Sequence, residues 1–267
     1  MSRTLLDVPQ VRDYLERHFL LRVETTEPRI ALTFDDGPSP RNTPRLLDLL
    51  AGKGIPATFF VLGRYMRRFP HVVKRAADEG HELASHGTWH LPLPLLPDAV
   101  IRRDIETTGR MLEKLLGTRP RYFRPPMGWF NGRVLRVIER LGYQPVIGSV
   151  YPKDSDRPGA DAIVDRVLRR VGPGDIVILH DSGWSSRSNR DQTLEAVDRL
   201  TDILGERGYR FDTLTALVAA GKGTGVRRKP NTPASEEHRP SDERDASDER
   251  DASEEHDASE GPETPGR

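Results

Sequence analysis

Five segments of the chain place side chains suited to metal or proton chemistry directly behind short apolar runs: Asp35 and Asp36, His86 and His90, Arg124, Asp154, and His180. One at a time each has an ordinary explanation: a helix N-cap for the aspartates, a solvated charge for Arg124, a backbone-satisfied strand end for His180. Together they describe a site. His86 and His90 stand four residues apart, a spacing that predicts both imidazoles on one side of a helical turn, where they can share a cation. Gly87 follows His86, so the arrangement in which a glutamate between two histidines serves as base is absent, and the base must come from elsewhere. Asp36 as a third ligand gives a His, His, Asp set with an open coordination position, the pattern of a catalytic rather than a structural metal. The chain has no cysteine, which leaves nitrogen and oxygen ligands only. Zinc is the default divalent metal for such a set, and cobalt, nickel or iron would also fit.

These residues need a scaffold that gathers five segments, and the hydrophobic pattern supplies one. Strands are predicted at 29–34, 57–62, 81–84, 121–124, 144–149, 176–179 and 209–211, and helices at 8–20, 43–53, 72–79, 98–116, 133–141, 160–171 and 191–207. The repeated strand-then-helix order argues for a parallel sheet. About seven such units predict an α/β fold, a distorted (β/α) barrel, with an open doubly wound sheet as the alternative. Both architectures put chemistry at the carboxyl ends of strands, where the candidate residues lie. Gly37-Pro38 is expected to break the first strand, so that Asp35 and Asp36 turn toward one cleft instead of to opposite faces. Helix faces such as Arg102, Arg103, Asp104 and Glu106, or Arg166, Arg169 and Arg170, read as solvated sides of helices covering the barrel.

TFDDGP (33–38), HGTWH (86–90), FRPPMG (123–128), Asp154 and ILH (178–180) occur in the order and rough spacing of the polysaccharide deacetylase (NodB-homology) family, which the chain resembles over about residues 28–215. That family includes chitin, peptidoglycan and acetylxylan deacetylases. The resemblance implies that Asp36, His86 and His90 hold the metal and that Asp35 is the general base taking a proton from the attacking water. Arg124 would pair with Asp35 and keep it ionised. The metal and the backbone N–H of Met127 would stabilise the oxyanion. His180 would be the general acid for the departing amine, with Asp154 raising its pKa and fixing its tautomer. The implied activity is metal-dependent removal of N-acetyl groups from amino sugars or polysaccharide, with an N-acetylated saccharide as partner.

The chain departs from the family pattern in four places. Met127 stands where an aromatic is common, Ser155 where Trp usually follows the aspartate, Gly87 where Ser or Thr follows the first histidine, and Ile178 where Leu is usual. The loss of two aromatics removes stacking surface for a sugar ring, which Trp89, Trp129 or Trp184 would have to replace, and the glycine is expected to loosen its turn. Asp156 competes with Asp154 for the same role, and the preceding Tyr-Pro-Lys favours Asp154. A deacylase of small amides or of O-acetylated xylan, and a non-catalytic carbohydrate-binding module, are the alternatives. Aspartyl-phosphate phosphatases are rejected, because their two carboxylates are separated by one residue and Asp35 and Asp36 are adjacent.

Lys and Arg together number 41, as do Asp and Glu, but the balance conceals two different materials. Residues 222–267 carry a net charge of −5 and residues 1–221 a net of +5. SDERDA recurs at 241–246 and 247–252 and drifts to SEEHDA at 253–258, a repeat with only Ala to bury. It is read as a disordered acidic tail behind a core domain at 28–221 and an N-terminal helical extension at 1–27. A mild basic excess and 6% aromatics argue against nucleic acid. No apolar run approaches the ~18 residues of a membrane span. Asp7, Arg12, Asp13 and Glu16 interrupt any leader-like stretch, so the chain as written is expected in the cytoplasm, with no obligate protein partner.

Overall fold

A computed structural model describes residues 9–223. Of the acidic tail expected from 222, residues 224–267 lie outside the described residues, while Lys222 and Gly223 are a paired strand and not part of it. Seven strands form one parallel sheet: β2 (Arg29–Asp35), β3 (Thr58–Val61), β4 (Glu82–Ser85), β5 (Tyr122–Phe123), β6 (Gln144–Pro145), β7 (Ile176–His180) and β8 (Arg210–Asp212). Their order is β6-β5-β4-β3-β2-β7, with β8 also on β2. The sheet curls, and a bridge between Val150 and Val177 joins the segment beyond β6 to β7, giving the distorted barrel the strand-helix repeat predicted. The expected strand at 144–149 survives only as β6 at its start. Gly148 lies at φ 114°, a conformation open to glycine, and bends the chain across to β7.

Strand alternation decides which side chains reach the barrel interior. Along β2, Ile30, Leu32 and Phe34 pack outward with Phe59 and Val61 of β3 and Val177 and Leu179 of β7 against the helices. The intervening Ala31 belongs to an inner cluster with Phe60, Ala84 and Ile176. Thr33 and Asp35 continue that inward row toward the strand end, and β2 pairs with β7 so that Asp35 lies beside His180.

The covering helices are α1 (Pro9–His18), α2 (Asn42–Lys53), α3 (Gly63–Arg68), α4 (Pro70–Asp78), α5 (Asp98–Leu116), α6 (Gly132–Arg140), α7 (Ala160–Leu168), α8 (Asp191–Glu206) and α9 (Leu214–Ala220). Neither α3 nor α9 was anticipated. Pro70 occupies the first turn of α4, where its missing N–H costs nothing, so α3 and α4 are separate helices. The N-terminal segment packs into the body: Leu15, Phe19 and Leu21 bury with Leu135, and β1 (Val23–Glu24) pairs antiparallel with β9 (Lys222–Gly223). Among the described residues no helix is long and apolar enough to cross a membrane.

Candidate active site

Asp36 leaves β2 at φ 73°. This left-handed residue, one position before Gly37-Pro38, is what turns its carboxylate away from the strand while Asp35 keeps the strand's inward direction. The segment 86–90 is not the helical turn its spacing predicted. It is irregular, with Gly87 at φ 80° and His90 at φ 58°, yet the two rings converge with centroids 5.3 Å apart. His86 Nε2 lies 3.5 Å and His90 Nε2 3.2 Å from Asp36 Oδ1.

One ligand atom from each of Asp36, His86 and His90 falls within 4.8 Å of the others. His86 Nδ1 sits 2.7 Å from the Arg124 carbonyl, so Nδ1–H donates there and Nε2 keeps its lone pair for the cleft. Burial pushes the His86 pKa down to about 3, against the pull of Asp36, which keeps the ring neutral as a ligand must be. Asp36 Oδ1 is buried and makes no hydrogen bond, a costly arrangement for a carboxylate oxygen unless a cation completes it. The donor set and the orphaned oxygen both fit a divalent metal.

Beside this triad lie two ion pairs that the protein completes by itself. Arg124 Nη1 donates to Asp35 Oδ1 at 2.6 Å and to Thr33 Oγ1 at 2.9 Å. Its guanidinium is buried over the Phe60 ring, 4.0 Å from the centroid. Burial lowers the Arg124 pKa while Asp35 opposes the shift. Opposite, His180 Nδ1 meets Asp154 Oδ1 at 2.8 Å, and Asp154 Oδ2 accepts the His180 backbone N–H at 2.9 Å and the Thr193 hydroxyl at 3.0 Å. Burial works against charge on His180, but attraction to Asp154 and their hydrogen bond outweigh it and raise the pKa to about 9. Asp156 is exposed, and it is Asp154, fully buried, that bonds His180.

Asp35, Asp36, His86, His90, Arg124 and His180 line one cleft of about 460 Å³, together with Met127, Ile147, Tyr151, Ile178, Trp184 and Arg190. Met127 adopts φ 59° in a tight turn whose next two amides, Gly128 and Trp129, donate to Pro125 and Pro126. Of the three tryptophans offered as replacement stacking surface, Trp184 is the one that lines the cleft. It is 83% exposed, its ring stands edge-on to His90 with centroids 6.0 Å apart, and its carbonyl accepts the Tyr65 hydroxyl at 3.1 Å. Ser155 gives its position not to an apolar wall but to a hydrogen bond with Tyr151, 2.7 Å between the oxygens.

Sequence reading missed three supporting groups. Arg190 is buried and ties the Ser182 carbonyl at 2.5 Å beside the Asp154 turn. Asp181, also buried, accepts the Thr43 hydroxyl, and burial with the nearby Asp36 and Asp35 charges raises its pKa to about 7. Asp104, read as part of a solvated face, is buried: it falls in the stripe Ile101, Asp104, Ile105, Thr108, Leu112 that α5 turns inward. The turn expected to loosen at Gly87 is tied to α5 through Asp104, which accepts the Thr88 and Trp89 amides, and a Cβ at Gly87 would come within 2.4 Å of Asp104 Oδ2.

A family model described as polysaccharide deacetylase matches residues 22–146. The chain is 39% identical over 198 residues to a peptidoglycan-N-acetylglucosamine deacetylase of Bacillus cereus, covering 73% of this chain and 91% of that protein. It is 40% identical over 209 residues to a chitooligosaccharide deacetylase of Sinorhizobium fredii, covering 76% and 96%. Among solved structures, a peptidoglycan N-acetylglucosamine deacetylase in complex with a 4-naphthalen-1-yl-N-oxidanyl-benzamide superposes with a TM-score of 0.72 at 31% identity, covering 77% of this chain and 95% of that one.

Proposed function

The chain belongs to the polysaccharide deacetylase family, and from that premise we propose that it is a metal-dependent hydrolase removing N-acetyl groups from the amino sugars of chitooligosaccharide or peptidoglycan. The observation that carries this is the convergence, in one cleft, of a cation-ready triad with two separate acid-base pairs. Asp36, His86 and His90 would hold the metal, most simply zinc, which when bound acidifies water and polarises the acetyl carbonyl. Asp35 takes the proton from the attacking water. Arg124 Nη1, bonded to Asp35 Oδ1 at 2.6 Å, fixes the direction in which that carboxylate faces the cleft.

The Met127 backbone N–H, on a residue lining the cleft, would donate to the oxygen that gains charge on the acetyl carbon. His180, held protonated by Asp154, gives its proton to the nitrogen of the leaving amino sugar, which departs poorly as an anion. Trp184 at the cleft rim offers an exposed flat face for a pyranose ring and favours a saccharide over a small non-sugar amide. A structural neighbour described as a CE4 family pseudoenzyme, 25% identical, has a mutant described as having restored activity, so the fold alone does not assure catalysis. Here base, acid and all three ligands are present, which supports activity over a binding-only role.

Acetate release from N-acetylglucosamine oligomers and from peptidoglycan, compared with small N-acyl amides and O-acetylated xylan, tests the reading. Release from the amino-sugar substrates is expected. Release only from the small amides or only from xylan would move the chain to another substrate class, and none at all with the metal bound would favour a binding module.

A further inference from the structure

The backbone of the loop carrying His86 and His90 is held along both edges. On one edge the first amides of α3, Gly63 and Arg64, donate to the carbonyls of Gly87 and Thr88 at 3.0 Å each. On the other, one carboxylate takes two amides: Asp104 Oδ2 accepts Thr88 N–H at 3.0 Å and Oδ1 accepts Trp89 N–H at 3.1 Å. The same contact is closed by the Thr88 hydroxyl, which donates to the Asp104 carbonyl at 2.7 Å and lies 3.0 Å from Thr108 Oγ1.

That loop needs holding, because Gly87 and His90 both sit at positive φ and a non-glycine residue in that conformation persists only where its surroundings impose it. Gly87 also leaves the space that Asp104 Oδ2 fills. The two histidines have no regular secondary structure to fix their separation. The stretch between them is tied to the body by the α3 amides on one edge and by Asp104 on the other.

We propose that Asp104 is a positioning residue for the metal site: by chelating the Thr88 and Trp89 amides, two of the three between His86 and His90, it sets the distance and direction of both imidazoles, and so the affinity and geometry of the bound cation. The proposal rests on the reading of Asp36, His86 and His90 as metal ligands. It differs from an ordinary core role in what it controls. A residue that merely fills space under α5 would lower the melting temperature when truncated and leave cation binding in the folded protein unchanged.

The test uses cobalt(II) alone as the probe, with its affinity read by competition against a chromophoric chelator and its coordination read from the visible absorption spectrum. Asp104→Ala is expected to weaken cobalt binding by about 10- to 100-fold, the range for partners that orient metal ligands, and to change the spectrum while far-ultraviolet circular dichroism stays native. Thr107→Ala, on the same helix, is the control and should match the wild type in both readouts. An Asp104→Ala protein that is folded and binds cobalt with wild-type affinity and spectrum overturns the proposal. Should that variant fail to fold, Asp104→Asn decides: it keeps the size and one acceptor but turns an N–H₂ toward an amide, so weakened binding supports the proposal and unchanged binding overturns it. A wild-type protein that binds no cobalt overturns the metal reading itself, a result distinguishable from the other two.

Discussion

The two sides of the cleft are built on different principles. The groups that would handle protons, Asp35 and His180, project from neighbouring ends of β2 and β7, and each is already bonded to a partner, Arg124 or Asp154. The groups that would hold a cation sit on loops, with Asp36 and His90 in left-handed backbone and one Asp36 oxygen lacking a hydrogen bond. The Asp35 and His180 pairs are therefore satisfied within the protein, whereas the Asp36, His86 and His90 set keeps a buried oxygen that a cation would complete. Loss of the ion should leave the first geometry standing, while damage to the first should leave the ion in place.

The largest effects should come from the metal side. Asp36→Ala or His86→Ala is expected to lose the metal by elemental analysis and to reduce turnover to background. Bound metal at wild-type stoichiometry in either variant would break the contrast. Asp35→Asn should retain the metal and lose about 10²- to 10⁴-fold in kcat, the range for a removed general base. Metal loss in that variant would show that the two sides are not independent.

Asp154→Asn should act through pH. His180 has to be protonated to donate, so turnover falls as pH rises through its pKa, which Asp154 holds up at about 9. With the attraction gone and burial remaining, the alkaline limb of the kcat profile is expected to move down to the ordinary histidine region near 6.5 or below it. A limb that stays put would remove Asp154 from the account.

Trp184→Ala should give the smallest change, about a three- to tenfold rise in KM for oligomers with kcat nearly unaltered. That matches the modest worth of one ring contact. An equal fall in kcat would place Trp184 nearer the reacting atoms than its rim position suggests.

How much of this was legible in the sequence follows the same division. Strands β2 and β7 could be read as short continuous apolar runs, because a parallel strand buried on both faces shows such a run. The triad was legible from residue type, but the reason given for it was wrong: the histidines converge through positive-φ turns and not through helical spacing. Asp104 was misread because a carboxylate in a helical stripe looks solvated until the backbone amides it meets are known. Those amides belong to a loop 15 and 16 residues away, a contact that local periodicity does not encode. Helix α9 went unseen for a similar reason. It is short, and its start is capped by Thr213 and by the Leu214 amide bonding Thr58 on β3.

The central claim is that one divalent cation binds between the Asp36 carboxylate and the Nε2 atoms of His86 and His90. An anomalous difference map from zinc-loaded crystals, measured at the zinc absorption edge, tests it most directly. A single strong peak within bonding distance of those three side chains, with Asp35 outside it and still paired to Arg124, is the predicted result. No peak there, or a peak held by Asp35 in place of Asp36, would contradict it.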